Sequence, residues 1–300
     1  MILKYDLNDA VAEAIMTQEP LVLVEAVFDE QLYQKIADTT LETQINVCQV
    51  SDFENYEAGC RGVIKAIELL QSKFAEREDN IKLVLGIIDR DIRQFRGELP
   101  NLTGLFILKY YSIETYFATR QNLKKLIHHL TNTKSQDVDE NVLHFVEQEF
   151  PLENLYYLSL EALKNACIEN YNGIVSYDEK ELPKERQQYL ISKIEAKKTE
   201  LECFALSFGI NKNDIKLIAK GKWYLYNFAD FSWLQIKQLS DKCKNAEINQ
   251  CRSCQVQNYK YCRFKLKEKS YPSKNLSQSL LNYIDEQECV DIIEALKKLG

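Results

Sequence analysis

Leu21-Val22-Leu23-Val24-Glu25-Ala26-Val27-Phe28-Asp29 is the stretch that decides the fold. Leu83-Val84-Leu85-Gly86-Ile87-Ile88-Asp89-Arg90-Asp91 answers it further along the chain. Each is a short run of Leu, Val and Ile that ends in charged residues. Buried parallel strands have this form, apolar on both faces. They deliver the residues that follow them to the C-terminal edge of the sheet, where ligands bind in open α/β folds. Glu25, Asp29, Asp89 and Asp91 gathered at that edge would repel one another unless a divalent cation lay between them. The pattern therefore predicts a hard oxygen-ligand site for one or two Mg²⁺ or Mn²⁺ ions.

Working outward, the periodicity predicts strands over 21–25, 45–50, 83–89 and 105–109. Helices are predicted over 28–37 and 60–74, the second with Val63, Ile64, Ile67, Leu70 and Phe74 on one stripe. Strands alternating with helices imply right-handed βαβ units and an α/β fold: a mainly parallel sheet flanked by helices. From Ser112 the pattern turns helical, over 113–130, 138–148, 152–169, 184–207, 222–242, 276–284 and 286–299. Two domains are expected, 1–130 and a mostly helical 131–300, with the boundary inside 111–137.

Bulk composition excludes several classes. With 28% charged and 45% hydrophobic residues the chain reads as an ordinary globular protein. No apolar run reaches membrane-span length, and Asp6, Asp9 and Glu13 interrupt any leader-like start. Nine cysteines, an odd count, fit a reducing cytoplasm better than a disulfide scaffold. A net charge of −7 argues against a nucleic-acid coat but allows a local basic groove. His128, His129 and His144 lack ligand spacing, and Gly59-Cys60-Arg61-Gly62 is too short to cradle phosphate. No nucleotide-binding P-loop occurs, so any ATP dependence would come from a partner.

Cys243, Cys251, Cys254 and Cys262 form a C-x7-C-x2-C-x7-C cluster resembling a zinc knuckle over 243–262. Four soft ligands suit a closed, structural Zn²⁺ site. A reduced thiol cluster and an iron–sulfur cluster are the alternatives. Cys48, Cys60, Cys167, Cys203 and Cys289 sit in apolar contexts and read as core thiols. Between Lys242 and Lys269, eight Lys or Arg face only Glu247 and Glu268. Lys260, Arg263, Lys265 and Lys267 alternate there with Tyr259, Tyr261 and Phe264. Such interleaving suits a phosphate backbone with stacked bases, although a solvated basic helix end has the same composition. Arg90, Arg93 and Arg96 flank the acidic pair and are candidates to grip adjacent phosphates.

Glu25-x-x-x-Asp29 resembles the Glu-Gly-x-x-Asp signature of the Toprim fold, and Asp89-x-Asp91 resembles its second signature. Tyr111-Ser112-Ile113-Glu114-Thr115-Tyr116-Phe117 and Lys220-Gly221-Lys222 are similar to two elements of a particular branch. That branch comprises the Toprim-like, OLD-type nucleases encoded beside ABC-type ATPases in phage-defence loci. The likeness is close over residues 18–117 and loose beyond them. It implies an N-terminal Toprim-like domain and a metal-dependent phosphodiesterase, an endoribonuclease toxin acting on host tRNA. An ABC-type ATPase would hold the toxin inactive, and two copies would associate once released.

On this resemblance Glu25 binds metal or acts as general base, while Asp29, Asp89 and Asp91 hold the ions. Glu114 completes the ligand set, and Lys222 supplies positive charge to the reacting phosphate. The signature glycine is Ala26 here, whose β-carbon would crowd the metal or strain the turn by about 1 kcal/mol. A one-residue shift would instead place the motif glutamate at Ala26, with Glu30 as second acid and an inactive cleft. The competing expectation is a non-catalytic adaptor that docks on the ATPase.

Overall fold

Four short strands, β1 (Leu21–Val24), β2 (Asn46–Gln49), β3 (Val84–Ile88) and β4 (Leu105–Ile107), form one parallel sheet in the order β2-β1-β3-β4. The computed structural model describes residues 4–74, 82–147, 150, 152–268 and 270–299. Outside them lie residues 1–3 and 300 at the ends of the predicted domains, together with Gln148 and Lys269. The side chain of Phe74 also lies outside the description.

The chain divides into two units, Met1–Ile113 joined by Glu286–Gly300, and Glu114–Asp285. The first therefore ends before the expected residue 130 and takes back the C-terminal segment. Hydrophobic periodicity identifies an amphipathic helix but not the unit against which it packs.

In the first unit, α1 (Leu7–Thr17) starts at Asp6, whose side chain accepts the Asn8 N–H. α2 (Val27–Thr40) links β1 to β2, and α3 (Cys60–Phe74) links β2 to β3. A short α4 (Arg93–Arg96) precedes β4. Leu21 and Leu23 face a core shared with Leu7 and Val11 of α1 and with Val63, Ala66 and Ile67 of α3. Val22 and Val24 alternate to the other face and are just as buried. Burying each such side chain contributes roughly 1.5–3 kcal/mol. That is why four-residue strands without polar alternation hold together.

The chain leaves β1 toward β2 on one side, crosses back, and runs from β3 to β4 on the other. The order reverses between β1 and β3, which opens a crevice at their C-terminal ends.

The second unit is helical: α5 (Arg120–Leu130), α6 (Glu140–Glu147), α7 (Leu152–Cys167), α8 (Lys184–Ile194), α9 (Lys198–Ser207), α10 (Ile215–Ile218), α11 (Gly221–Ile236), α12 (Leu239–Lys244), α13 (Arg252–Gln255) and α14 (Ser273–Leu280). The continuous helix expected over 113–130 is broken. A 3-10 turn, Ile113–Phe117, ends before Thr119, whose extended backbone and side chain cap α5 by accepting the Asn122 N–H. Threonine's capping preference overrides the apolar period there. The expected 184–207 helix is interrupted by the 3-10 turn Glu195–Lys197, and 222–242 divides into α11 and α12.

Loop 171–183 is held by buried polar groups. Glu161, fully buried, accepts from the Ile174 N–H, the Tyr171 hydroxyl and Lys197.

Gly86 sits where α3 crosses β3. A β-carbon there would stand 2.7 Å from Ile67 Cγ1 and 2.8 Å from Val63 Cγ1. Gly86→Ala is expected to lower unfolding stability by about 1–3 kcal/mol in chemical denaturation, through overpacking alone.

Candidate active site and metal centre

Glu25 leaves the end of β1, and Asp89 and Asp91 leave the end of its neighbour β3, so all three stand at the sheet edge where the strand order reverses. The Asp89 N–H donates to Glu25 Oε1 at 2.9 Å. The Glu25 carbonyl accepts the Gly59 N–H at 2.9 Å, which draws the start of α3 to the same place. Asp89 Oδ1 in turn accepts the Ile113 N–H at 3.3 Å. Asp91 has φ +48, a left-handed conformation that aspartate tolerates better than most residues, and its N–H donates to the Tyr111 carbonyl at 2.9 Å. Sparsely populated backbone of this kind gathers at functional sites.

Burial raises the Glu25 pKa first, and Asp91 and Asp29 add to it against the Asp89 N–H and Arg93, leaving it at about 7. Asp29 lies in the first turn of α2 but does not cap it. The N-cap is Ala26, at φ −152 and ψ 165. That is extended backbone open to any residue, so the expected strain at the glycine-to-alanine position is absent. Glu30 faces elsewhere, Oε2 accepting the Gln49 N–H of β2 at 3.2 Å. Glu25 is the acid bonded to Asp89.

The arginines divide. Arg93 Nη1 contacts Asp91 Oδ2 at 2.6 Å and the Asp89 carbonyl at 3.2 Å, while Nη2 donates to the Cys60 sulfur at 2.5 Å. Arg90 is spent on the Leu108 carbonyl and Gln94. Both of these expected phosphate contacts thus carry intramolecular partners here; Arg96 is exposed, 3.8 Å from Glu98. Arg93 thus acts as counter-ion to Asp91. Cys60, expected in the core, packs half-buried against it and also stands beside this cluster at the start of α3, its thiol pushed up chiefly by burial. Its one sequence signal was the Gly59-Cys60 turn.

Glu114 and Lys222 meet in the second unit, Lys222 Nζ 4.0 Å from Glu114 Oε1. Glu114 is buried and Lys222 is largely exposed. Lys220 has a structural task, donating to the Tyr177 and Glu179 carbonyls beneath the Tyr177–Trp223 stack.

Among the described residues, the group of ligand-type side chains that converges on one point is Cys243, Cys251, Cys254 and Cys262. All four are buried, with sulfurs within 4.8 Å of one another. Sulfurs placed tetrahedrally 2.3 Å from one ion stand about 3.8 Å apart, so a small contraction fits Zn²⁺. The Cys251 N–H donates to Cys243 Sγ at 3.3 Å. Burial opposes the Cys251 thiolate, but the Arg263 and Cys254 N–H groups outweigh it and bring its pKa down to about 7. Burial pushes Cys243 up to about 12 and raises Cys254 as well. The group can hold a metal such as zinc, whose charge would displace the remaining protons. All nine cysteines are free; Cys203 is exposed, contrary to its expected core role, and Cys48 and Cys167 are half-buried.

Arg263 pairs with Asp137, and Lys267 Nζ donates to the His128 and His129 carbonyls at the end of α5. Both, expected to contact nucleic acid, also anchor the knuckle. No helix is long and apolar enough to cross a membrane among the described residues. The chain matches no family model and no characterised protein.

Two outcomes follow from these groups. A carboxyl whose folded pKa is raised binds its proton more tightly in the fold, so stability is full below pH 4.5 and declines as pH rises through about 7. Relative to Glu25→Gln, the metal-free protein should lose roughly 3 kcal/mol across that window in thermal or urea unfolding. Parallel pH profiles for the two proteins would contradict the burial of Glu25. Elemental analysis should also find one zinc per chain, lost in Cys254→Ser together with several degrees of melting temperature.

Proposed function

We propose that this chain is a metal-dependent endonuclease of the Toprim type, an RNA-cleaving toxin in an anti-phage abortive-infection system. The observation that carries the reading is the position of Glu25, Asp89 and Asp91 at the reversal of a parallel sheet. Bound there, Mg²⁺ or Mn²⁺ would neutralise phosphoryl charge and lower the pKa of a water. Glu25, Asp89 and Asp91 are the first-choice ligands, with Asp29 close by.

Glu25 has a second use. One of its oxygens accepts the Asp89 N–H, which leaves the other to bind the ion or to take a proton from water. Arg93 beside Asp91 lets the carboxylates lie together and can later face the added negative charge of a substrate. The roles of Glu114 as fifth ligand and Lys222 as phosphate-facing cation rest on the resemblance alone. Ala26 in relaxed backbone supports an active rather than a degenerate cleft.

Host tRNA as substrate and an ABC-type ATPase as partner rest on the resemblance. In length and in its cysteine-rich helical half the chain looks most like AriB, the effector of the PARIS system, which works with the ATPase AriA. An AriA-like partner would hold the nuclease silent, and release would allow two copies to enclose a folded tRNA. The adaptor reading has one observation in its favour, since Arg93 already neutralises Asp91.

Incubation of purified protein with end-labelled tRNA and Mn²⁺ is the test. Cleavage should fall by at least about a hundredfold in Asp89→Asn, at unchanged melting temperature. Intact tRNA with the parent chain at every divalent ion, or equal cleavage by Asp89→Asn, would favour the adaptor.

A further inference from the structure

The tip of the cysteine knuckle has a surface that the carboxylate site does not explain. Residues 255–261 are all exposed. Among them Val256 is 69% exposed, Tyr261 63% and Tyr259 41%, on a segment whose four anchoring cysteines are buried. Ile248 and Phe264 of the same stretch are buried. The tip presents the two tyrosines instead.

Lys244 Nζ lies 5.3 Å from the Tyr259 ring centre, and Lys260 Nζ lies 5.8 Å from that of Tyr261. Each ring therefore has a cation over one of its faces. Hydrogen bonding and ion pairing divide the basic residues of the knuckle. Lys242, Arg263 and Lys267 are committed to Glu247, Asp137 and the end of α5. Lys244, Arg252, Lys260 and Lys265 are exposed around the tip. This local positive charge opposes the −7 of the whole chain.

Exposed rings flanked by cations match unpaired nucleotides, whose bases stack on aromatic faces while phosphates follow the basic groups. A duplex offers no open base face to such rings. The phenols and the exposed amides of Gln257 and Asn258 are suited to the 2′-hydroxyl and to base edges, which selects RNA.

We propose that the knuckle tip, centred on Tyr259 and Tyr261 with Lys244 and Lys260, is a binding surface for a single-stranded segment of RNA. It rests on neither the carboxylates nor their metal. Binding without cleavage would therefore leave this surface standing even if the nuclease reading failed.

Fluorescence anisotropy of the full-length, zinc-containing protein with a labelled oligouridylate, without added Mg²⁺ or Mn²⁺, tests it. Tyr259→Ala and Tyr261→Ala should each weaken binding by about tenfold, with zinc content unchanged. Tyr261→Trp, which keeps a stacking face, should restore it. Lys244→Gln and Lys260→Gln should each reduce the slope of log affinity against log salt by about 0.7. The matching oligodeoxyuridylate should bind more weakly, and a duplex RNA more weakly still.

Affinity unchanged in both tyrosine variants would overturn the proposal, as would a duplex bound as well as the single strand. Equal binding of the DNA oligomer would overturn the choice of RNA. If these variants instead abolish co-elution with the ATPase and leave oligouridylate binding intact, the tip is a protein interface and the proposal fails.

Discussion

The Asp89 N–H donates to Glu25 Oε1 across the ends of β1 and β3, and through that bond two strand ends become one site. Glu25 is tied to the neighbouring strand before any ligand arrives, so its position owes nothing to a flexible loop. The same anchoring withdraws it from water. Desolvation then dominates its titration, with Asp91 and Asp29 adding their repulsion. A buried carboxyl with like charges around it is costly in any fold. Here the cost is offset by Arg93, by backbone N–H donors and by an apolar sheet that does not depend on the site.

Sheet and site are coupled through geometry. Gly86 lets α3 approach β3 closely, and the Gly59 N–H on the Glu25 carbonyl brings the start of that helix to the acidic edge. Helix N-termini favour negative charge, which adds to the reasons for carboxylates to gather there. Asp91 reaches the crevice through left-handed backbone held by the Tyr111 carbonyl. Each acid is thus placed by main-chain contacts. Changing its side chain to an isosteric amide tests chemistry with little effect on architecture.

Much of the sheet was legible because β1 and β3 are apolar on both faces. Leu21–Val24 ends one residue before the expected bound, and Val84–Ile88 is one residue shorter at each end. The association of Glu25 with Asp89 followed from the same runs. Roles that depend on a partner distant in sequence were not legible. Arg90, Arg263 and Lys267 all read as available cations, yet each found an acceptor that only the folded chain supplies. Cys60 read as a core thiol because sequence does not show which helix start abuts the acidic edge. Thr119 was overlooked because one side-chain cap can end a pattern that periodicity alone would continue. Strain at Ala26 depends on φ, which sequence does not fix and which is extended here.

Anomalous diffraction from crystals grown with Mn²⁺ tests most directly whether the crevice is a metal site. The account predicts a peak within ligand distance of Glu25, Asp89 and Asp91, with the Arg93 guanidinium withdrawn from Asp91. Crystals with no peak there, and with Arg93 still seated on Asp91 at saturating Mn²⁺, would contradict it.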